Sequence, residues 1–175
     1  MSIEFVHLRV HTEYSLVDGV VQVKPLVKAC AGAGMPAVAV TDQGNLFGMV
    51  KFYKAALAAG IKPVAGADIW VDDEDAPEGR ARLTLLCRDY EGFRTLNRLL
   101  TRSYAEGQQQ GVPVVQRAWI EADHLGLIAL SGAREGDVGQ ALLRGDADGA
   151  RRKADYWCRL FPDAYYLELQ RCGRP

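Results

Sequence analysis

No stretch of the chain approaches the ~18 consecutive apolar residues that a membrane-spanning helix requires. Met1-Ser2-Ile3-Glu4 does not lead from a basic stretch into an apolar one, as a secretory signal would. The expectation is therefore a cytoplasmic protein with no membrane partner. Cysteine is sparse: the four at positions 30, 87, 158 and 172 form no C-x-x-C pair, and their spacing suits neither a zinc knuckle nor a disulfide framework, so reduced thiols are expected. Histidine is sparser, with three in 175 residues, few for an imidazole-rich metal centre. Gly44, Gly48 and Gly132 lie in no Walker or Rossmann spacing, which argues against a phosphate-cradling loop. Charge of one sign is also missing. Residues 1–87 carry 8 basic and 10 acidic groups and residues 88–175 carry 13 and 12, so neither half is the cationic block that grips a nucleic-acid backbone.

What is present is ordinary globular composition, 49% hydrophobic and 25% charged, in a chain long enough to build a core without disulfides. One domain over 1–175 is expected. Short strands are expected at Phe5–Val10, Pro36–Val40, Lys62–Val71, Arg82–Cys87, Leu127–Leu130 and Tyr165–Leu169. A helix with Pro25 in its first turn and Leu26, Val27 and Cys30 on one face precedes the second strand, stopped by Gly32 and Gly34. Another, Asn45–Ala59, places Leu46, Val50, Tyr53 and Leu57 at helical spacing and ends at Gly60. Tyr90–Tyr104, Asp137–Leu143 and Ala150–Phe161 complete the helices, with an irregular Gln-rich stretch after the first of them. Strand and helix alternating in this way imply parallel βα units, as part of a barrel or a small open sheet. The acidic run from Asp72 to Glu78 reads as a solvated loop.

In such folds the residues just past the strand C-termini converge on one face and carry the chemistry. Here they are His11, Glu13, Ser15 and Asp18, then Asp42, Gln43 and Asn45, then Asp68, Arg88 and Asp89, Ser131, Ala133 and Arg134, and finally Gln170, Arg171 and Cys172. One histidine with several carboxylates could hold a hard divalent cation but is short of the imidazoles of a tight zinc or manganese cluster.

The stretch from Phe5 to Gly19 (FVHLRVHTEYSLVDG), together with Ala39 to Gly48 (AVTDQGNLFG), resembles the polymerase-and-histidinol-phosphatase (PHP) domain, in the form that opens bacterial replicative polymerase catalytic subunits. Gly60 to Asp68 (GIKPVAGAD), Leu130-Ser131-Gly132 and Tyr166 to Gln170 (YLELQ) extend the resemblance over essentially the whole chain.

The resemblance implies a PHP-type distorted (β/α)₇ TIM-like barrel, here incomplete at its C-terminal side, whose top face holds three metals for phosphoester hydrolysis in active members. The family's opening His-x-His stands here as Arg9-Val10-His11, its Asp-His pair as Asp42-Gln43 and its glutamate as Asp68. Arg82 replaces a histidine, Ala133 a cysteine, and Cys172 stands where a histidine is common. The remnant cleft is thus Arg9, His11, Asp18, Asp42, Gln43, Asp68, Arg82, Ala133 and Cys172. No metal is expected, and if one bound it would have only His11, Asp18 and Asp68. Arg9 or Arg82 is expected to pair with Asp18 or Asp68, exchanging metal bonds for ionic hydrogen bonds.

By the same resemblance this segment is a catalytically inactive scaffold within a longer polymerase chain, offering a surface to a proofreading exonuclease subunit. DNA, dNTPs and Mg²⁺ would be handled by that chain's polymerase domain. The competing reading is a residual metal-dependent phosphoesterase, acting on DNA 3′ ends or on pyrophosphate. A barrel stopped after its last strand would also leave an exposed apolar seam or an oligomer that covers it.

Overall fold

The run Ala37–Val40 (β1) is short, apolar and β-branched at alternate positions, and Val38, Ala39 and Val40 are buried. It pairs in parallel with the start of β2 (Lys62–Asp72), in the register Ala37↔Lys62 to Val40↔Ala65. A computed structural model describes residues 5–16 and 18–170 of the chain, which divides into two compact units, Met1–Asp68 and Ile69–Pro175.

In the first unit, α1 (Val23–Gly32) buries Val23, Val27 and Cys30 at i, i+4 and i+7. It ends where Gly34 takes a φ of 71° and Met35 N–H donates to the Cys30 carbonyl at 3.0 Å, a left-handed termination that glycine permits. Two expectations need correction here. Phe5–Val10 does not form a full strand: its described residues make a single bridge, His7 to Val38, with the Val10 carbonyl accepting from Thr41 N–H at 2.9 Å. The second helix, α2, spans Met49–Ala58 rather than starting at Asn45, because the Asn45 side chain donates to the Gln43 carbonyl and accepts from Phe47 N–H, stabilising a turn there. Its buried stripe is Met49, Phe52 and Ala56, whereas Val50, Tyr53 and Leu57 face outward. Apolar residues lie on both stripes of α2, so periodicity alone could not choose between them.

The second unit holds a sheet in the order β4 (Gln108–Gln109), β5 (Val112–Val115), β2, β3 (Arg80–Cys87), β6 (Leu127–Leu130) and β7 (Tyr165–Tyr166), built on the part of β2 beyond Asp68. β3 (Arg80–Cys87) follows β2 through a turn closed by Asp73 N–H donating to the Gly79 carbonyl at 2.9 Å. A connection that short cannot make a parallel crossover. The sheet is accordingly mixed, not a succession of parallel βα units: β3 pairs antiparallel with β6 (Leu127–Leu130), while β6 with β7 (Tyr165–Tyr166) and β2 with β5 (Val112–Val115) are parallel. The Gln-rich stretch, expected to be irregular, supplies the small strand β4 (Gln108–Gln109), β5 and the short α4 (Arg117–Ala122). Asp89 caps α3 (Tyr90–Ala105), accepting from Gly92 N–H at 2.9 Å, and Asp146 does the same for α6 (Ala147–Leu160) through Gly149 N–H at 2.8 Å.

The acidic run is not merely solvated. Asp73 is buried and its carboxylate accepts from Lys153 Nζ at 2.7 and 3.0 Å. Arg117, at the start of α4, donates to the Asp72 carbonyl and side chain and, at 3.0 Å, to Asp137 of α5 (Asp137–Leu143). Asp137 also accepts from the buried Trp157 indole N–H at 2.8 Å and from Val138 N–H at 2.7 Å. One carboxylate thereby ties α4, α5 and α6 together.

Removing one member of a buried charge network leaves its partners desolvated and unpaired. Asp137→Ala is expected to lower the unfolding free energy by about 3–5 kcal/mol, measured by urea denaturation. Glu106→Ala, which breaks an exposed ion pair one turn apart on α3, is expected to change it by less than about 1 kcal/mol.

Candidate remnant metal cleft

Six of the expected site residues belong to the first unit, and the structure gathers four of them, Arg9, His11, Asp18 and Gln43, around a fifth, Asp68. Its carboxylate has no solvent exposure, and Oδ2 accepts from Arg9 Nη2 at 2.6 Å and from Arg9 Nε at 3.2 Å. His11 Nε2 lies 2.9 Å from the same oxygen, and its Nδ1 faces Asp18 Oδ2 at 3.3 Å. The Gln43 side-chain amide closes the arc, donating to Asp18 Oδ2 at 2.7 Å. The arginine–carboxylate pair expected in the cleft is therefore the one made by Arg9 with Asp68.

Local sequence explains this convergence. β1 and β2 run in parallel, and Gln43 bridges Asp68, so the segment past β1 and the middle of β2 arrive side by side. Asp42 plays a different part from a ligand. Buried at 2% exposure, it accepts from Thr12 N–H at 2.6 Å, Ser15 Oγ at 2.8 Å and Thr12 Oγ1 at 2.8 Å. These bonds fold the segment after His11 over the end of β1. Gly19 completes the turn, since a Cβ there would meet the Thr12 carbonyl oxygen at 1.7 Å. Thr12 and the Ser15 hydroxyl were not legible as structural partners of Asp42; only the hydroxyls' nearness to a strand end hinted at it. Glu13, also expected at this face, pairs on the surface with Lys51 at 2.7 Å.

Arg82 and Ala133 belong to the second unit. Arg82 is 7% exposed, and its guanidinium stacks 3.8 Å from the centre of the Trp70 ring. Ala133 is buried with a φ of 48°, a left-handed conformation unusual for a residue with a Cβ, and follows Gly132 at 71°. A side chain at Gly132 would meet the Arg82 carbonyl oxygen at 2.4 Å, which requires glycine there. Nearby, Ser131 Oγ accepts from Glu168 N–H at 3.0 Å. Cys172 lies outside the described residues.

The electrostatics follow from the shared carboxylate. Burial is the largest influence on His11 and pulls its pKa down, but the hydrogen bond and charge of Asp68, with the charge of Asp18, outweigh burial and hold it above 6.5. Imidazolium is the form this arrangement favours. A metal ligand must be neutral imidazole, and a cation at Asp68 Oδ2 would sit against the Arg9 guanidinium. The donor set does not fit the multi-metal centre of active family members, and among the described residues no three His, Cys, Asp or Glu side chains are arranged to hold a metal ion.

The family model "PHP domain" matches residues 7–172. The chain belongs to the PHP domain family. Among curated proteins it is 50% identical to DNA polymerase III subunit alpha of Pseudomonas fluorescens over 175 residues, and 45% identical to that of Escherichia coli K12 over 171 residues. These alignments cover 100% and 98% of this chain, which spans about 15% of the length of either relative. Among solved structures, an amidohydrolase from Chromobacterium violaceum superposes on 57% of this chain and 33% of its own, with a TM-score of 0.46 at 19% identity.

Two outcomes test the cleft. Asp68→Ala removes the buried carboxylate that Arg9 and His11 share, and is expected to cost about 3–5 kcal/mol in stability, far more than Glu13→Ala at its partly exposed pair. Because the folded-state pKa of His11 is raised, its contribution is complete below about 6.5 and is lost as pH rises through the folded value. The melting-temperature gap between the wild type and His11→Gln should therefore be wider in mildly acidic than in alkaline buffer. A gap that is constant or widens with pH contradicts the assignment.

Proposed function

We propose that this chain is the PHP segment of a bacterial DNA polymerase III alpha subunit and that it works there as a metal-free scaffold. The identities near half across the chain support the first part. The Arg9–Asp68 pair, with His11 on the same carboxylate oxygen, carries the second.

Phosphoester hydrolysis of the kind performed by active PHP enzymes needs adjacent cations to bind the phosphate and to generate hydroxide from water. In this chain the corresponding carboxylate is neutralised from within by a guanidinium, which binds no hydroxide and offers no open coordination position. What Arg9, His11, Asp18, Gln43 and Asp68 do instead is mechanical: they join the segment before β1, the segment after it and the middle of β2 by charge-assisted hydrogen bonds. On this reading DNA, dNTPs and the Mg²⁺ of nucleotidyl transfer belong to the rest of a full-length polymerase chain, and the segment supports that chain and docks a proofreading exonuclease subunit. A cytoplasmic location accompanies this role, and no helix of the described residues is long and apolar enough to cross a membrane.

Calorimetric titration of the protein with Mn²⁺ and Zn²⁺ tests the metal-free cleft. Binding no tighter than millimolar is expected, unchanged by His11→Ala. Stoichiometric metal retained through dialysis, and lost in His11→Ala, would overturn it.

A further inference from the structure

The outward stripe of α2 is unusual for a helix on a soluble surface. Val50, Tyr53 and Leu57, spaced i, i+3 and i+7, are 69%, 52% and 54% exposed, and Phe47 on the preceding turn is 67% exposed. Single exposed apolar residues need no explanation, but three on one helix face, with a fourth on the turn before it, are of the type that marks an interaction site. Lys54 lies within the same stripe.

Charge adds a second, independent feature. Of six lysines in the chain, five fall at 24, 28, 51, 54 and 62, and the only acidic residue between Val20 and Ala67 is Asp42. Asp42 is buried and consumed by Thr12 and Ser15. Neither α1 nor α2, which pack against each other, contains an acidic residue. Lys51 is held by Glu13, whereas Lys24, Lys28 and Lys54 are exposed and have no carboxylate partner among the described residues. The net charge of each half of the chain conceals this, because the acidic run that balances it lies in the second unit.

We propose that the α1–α2 face is a docking surface for an acidic amphipathic polypeptide helix, whose apolar stripe packs on Val50, Tyr53 and Leu57 while its flanking carboxylates meet Lys24, Lys28 and Lys54. Helix-on-helix recognition of this kind uses i, i+3 and i+7 anchors, and complementary charge sets register and approach. A nucleic-acid backbone would satisfy the lysines but leave Val50 and Leu57 against sugar and phosphate. A second copy of the same face would oppose lysine to lysine. The proposal does not depend on the polymerase reading, since it rests on the surface of α1 and α2 and not on the cleft.

The test places the photocrosslinking residue p-benzoylphenylalanine at Tyr53 of the natural full-length protein, irradiates it in its host cells and maps the adduct by mass spectrometry. The expected adduct lies on a polypeptide segment with apolar residues at helical spacing and net negative charge, in the same chain or another. Its yield should fall about tenfold in both Leu57→Asp and Lys54→Glu, the loss expected when one interface anchor is removed. Both substitutions are at exposed positions, and circular dichroism melts check that the fold is retained. An adduct to nucleic acid, to α2 of a second copy or to a segment without acidic residues overturns the proposal. So does the absence of any adduct, or a yield indifferent to both variants.

Discussion

A carboxylate with no solvent exposure cannot remain ionised without compensation, and in this chain Asp68 obtains it from a guanidinium. The organisation of the first unit turns on that requirement. Arg9 comes from the segment before β1, Gln43 from the segment after it and Asp68 from β2, so satisfying one buried charge fixes three stretches of chain relative to one another. His11 joins the same oxygen, and Asp18 holds the other side of its ring. With an arginine on the Asp68 carboxylate, the cleft is a set of charge-assisted hydrogen bonds.

The second unit solves a similar problem with a different hub. Arg117 and Lys153 reach acidic residues at the end of β2, and Asp137 collects Arg117 and the Trp157 indole. In both units buried charges sit where several elements meet, and apolar packing supplies the remainder: Val23, Val27 and Phe52 in one, Leu83, Leu85, Leu96, Ile120 and Trp157 in the other. The charges determine how elements meet more than how strongly they hold, because each pair's Coulombic gain is largely offset by desolvation.

Surface chemistry separates from this interior. Phe5 and Leu8 in the first unit, and Tyr166, Leu167 and Leu169 in the second, are exposed. Cys30 is buried and Cys87 has its thiol pushed up to about 12 by burial and by the nearby Asp89 charge, so neither is a reactive nucleophile. Of the two arginines expected in the cleft, Arg9 donates to the Asp68 carboxylate, and the Arg82 guanidinium stacks on the Trp70 ring.

The sequence by itself determined the family, through contiguous motif blocks, and most elements, because their signals are local. Asp137–Leu143 appears as expected and α1 is closed by the glycines expected to close it, whereas Asp89, expected at the strand-end face, serves as the cap of α3. It also singled out Arg9, His11, Asp18, Gln43 and Asp68 as cleft residues, through their places in the stretches that carry the resemblance. Tertiary structure decided what those residues do. Sequence order could not say which arginine takes which carboxylate, because that depends on strand register across 59 positions. The buried face of α2 was likewise undetermined, both stripes being apolar. The mixed sheet arose from a turn too short for a parallel crossover, and the acidic run became partly internal because Lys153, 80 residues away, folds onto it. Local propensity is written along the chain; pairing of charges and choice of buried face are properties of contacts between distant segments, and only the folded chain fixes them.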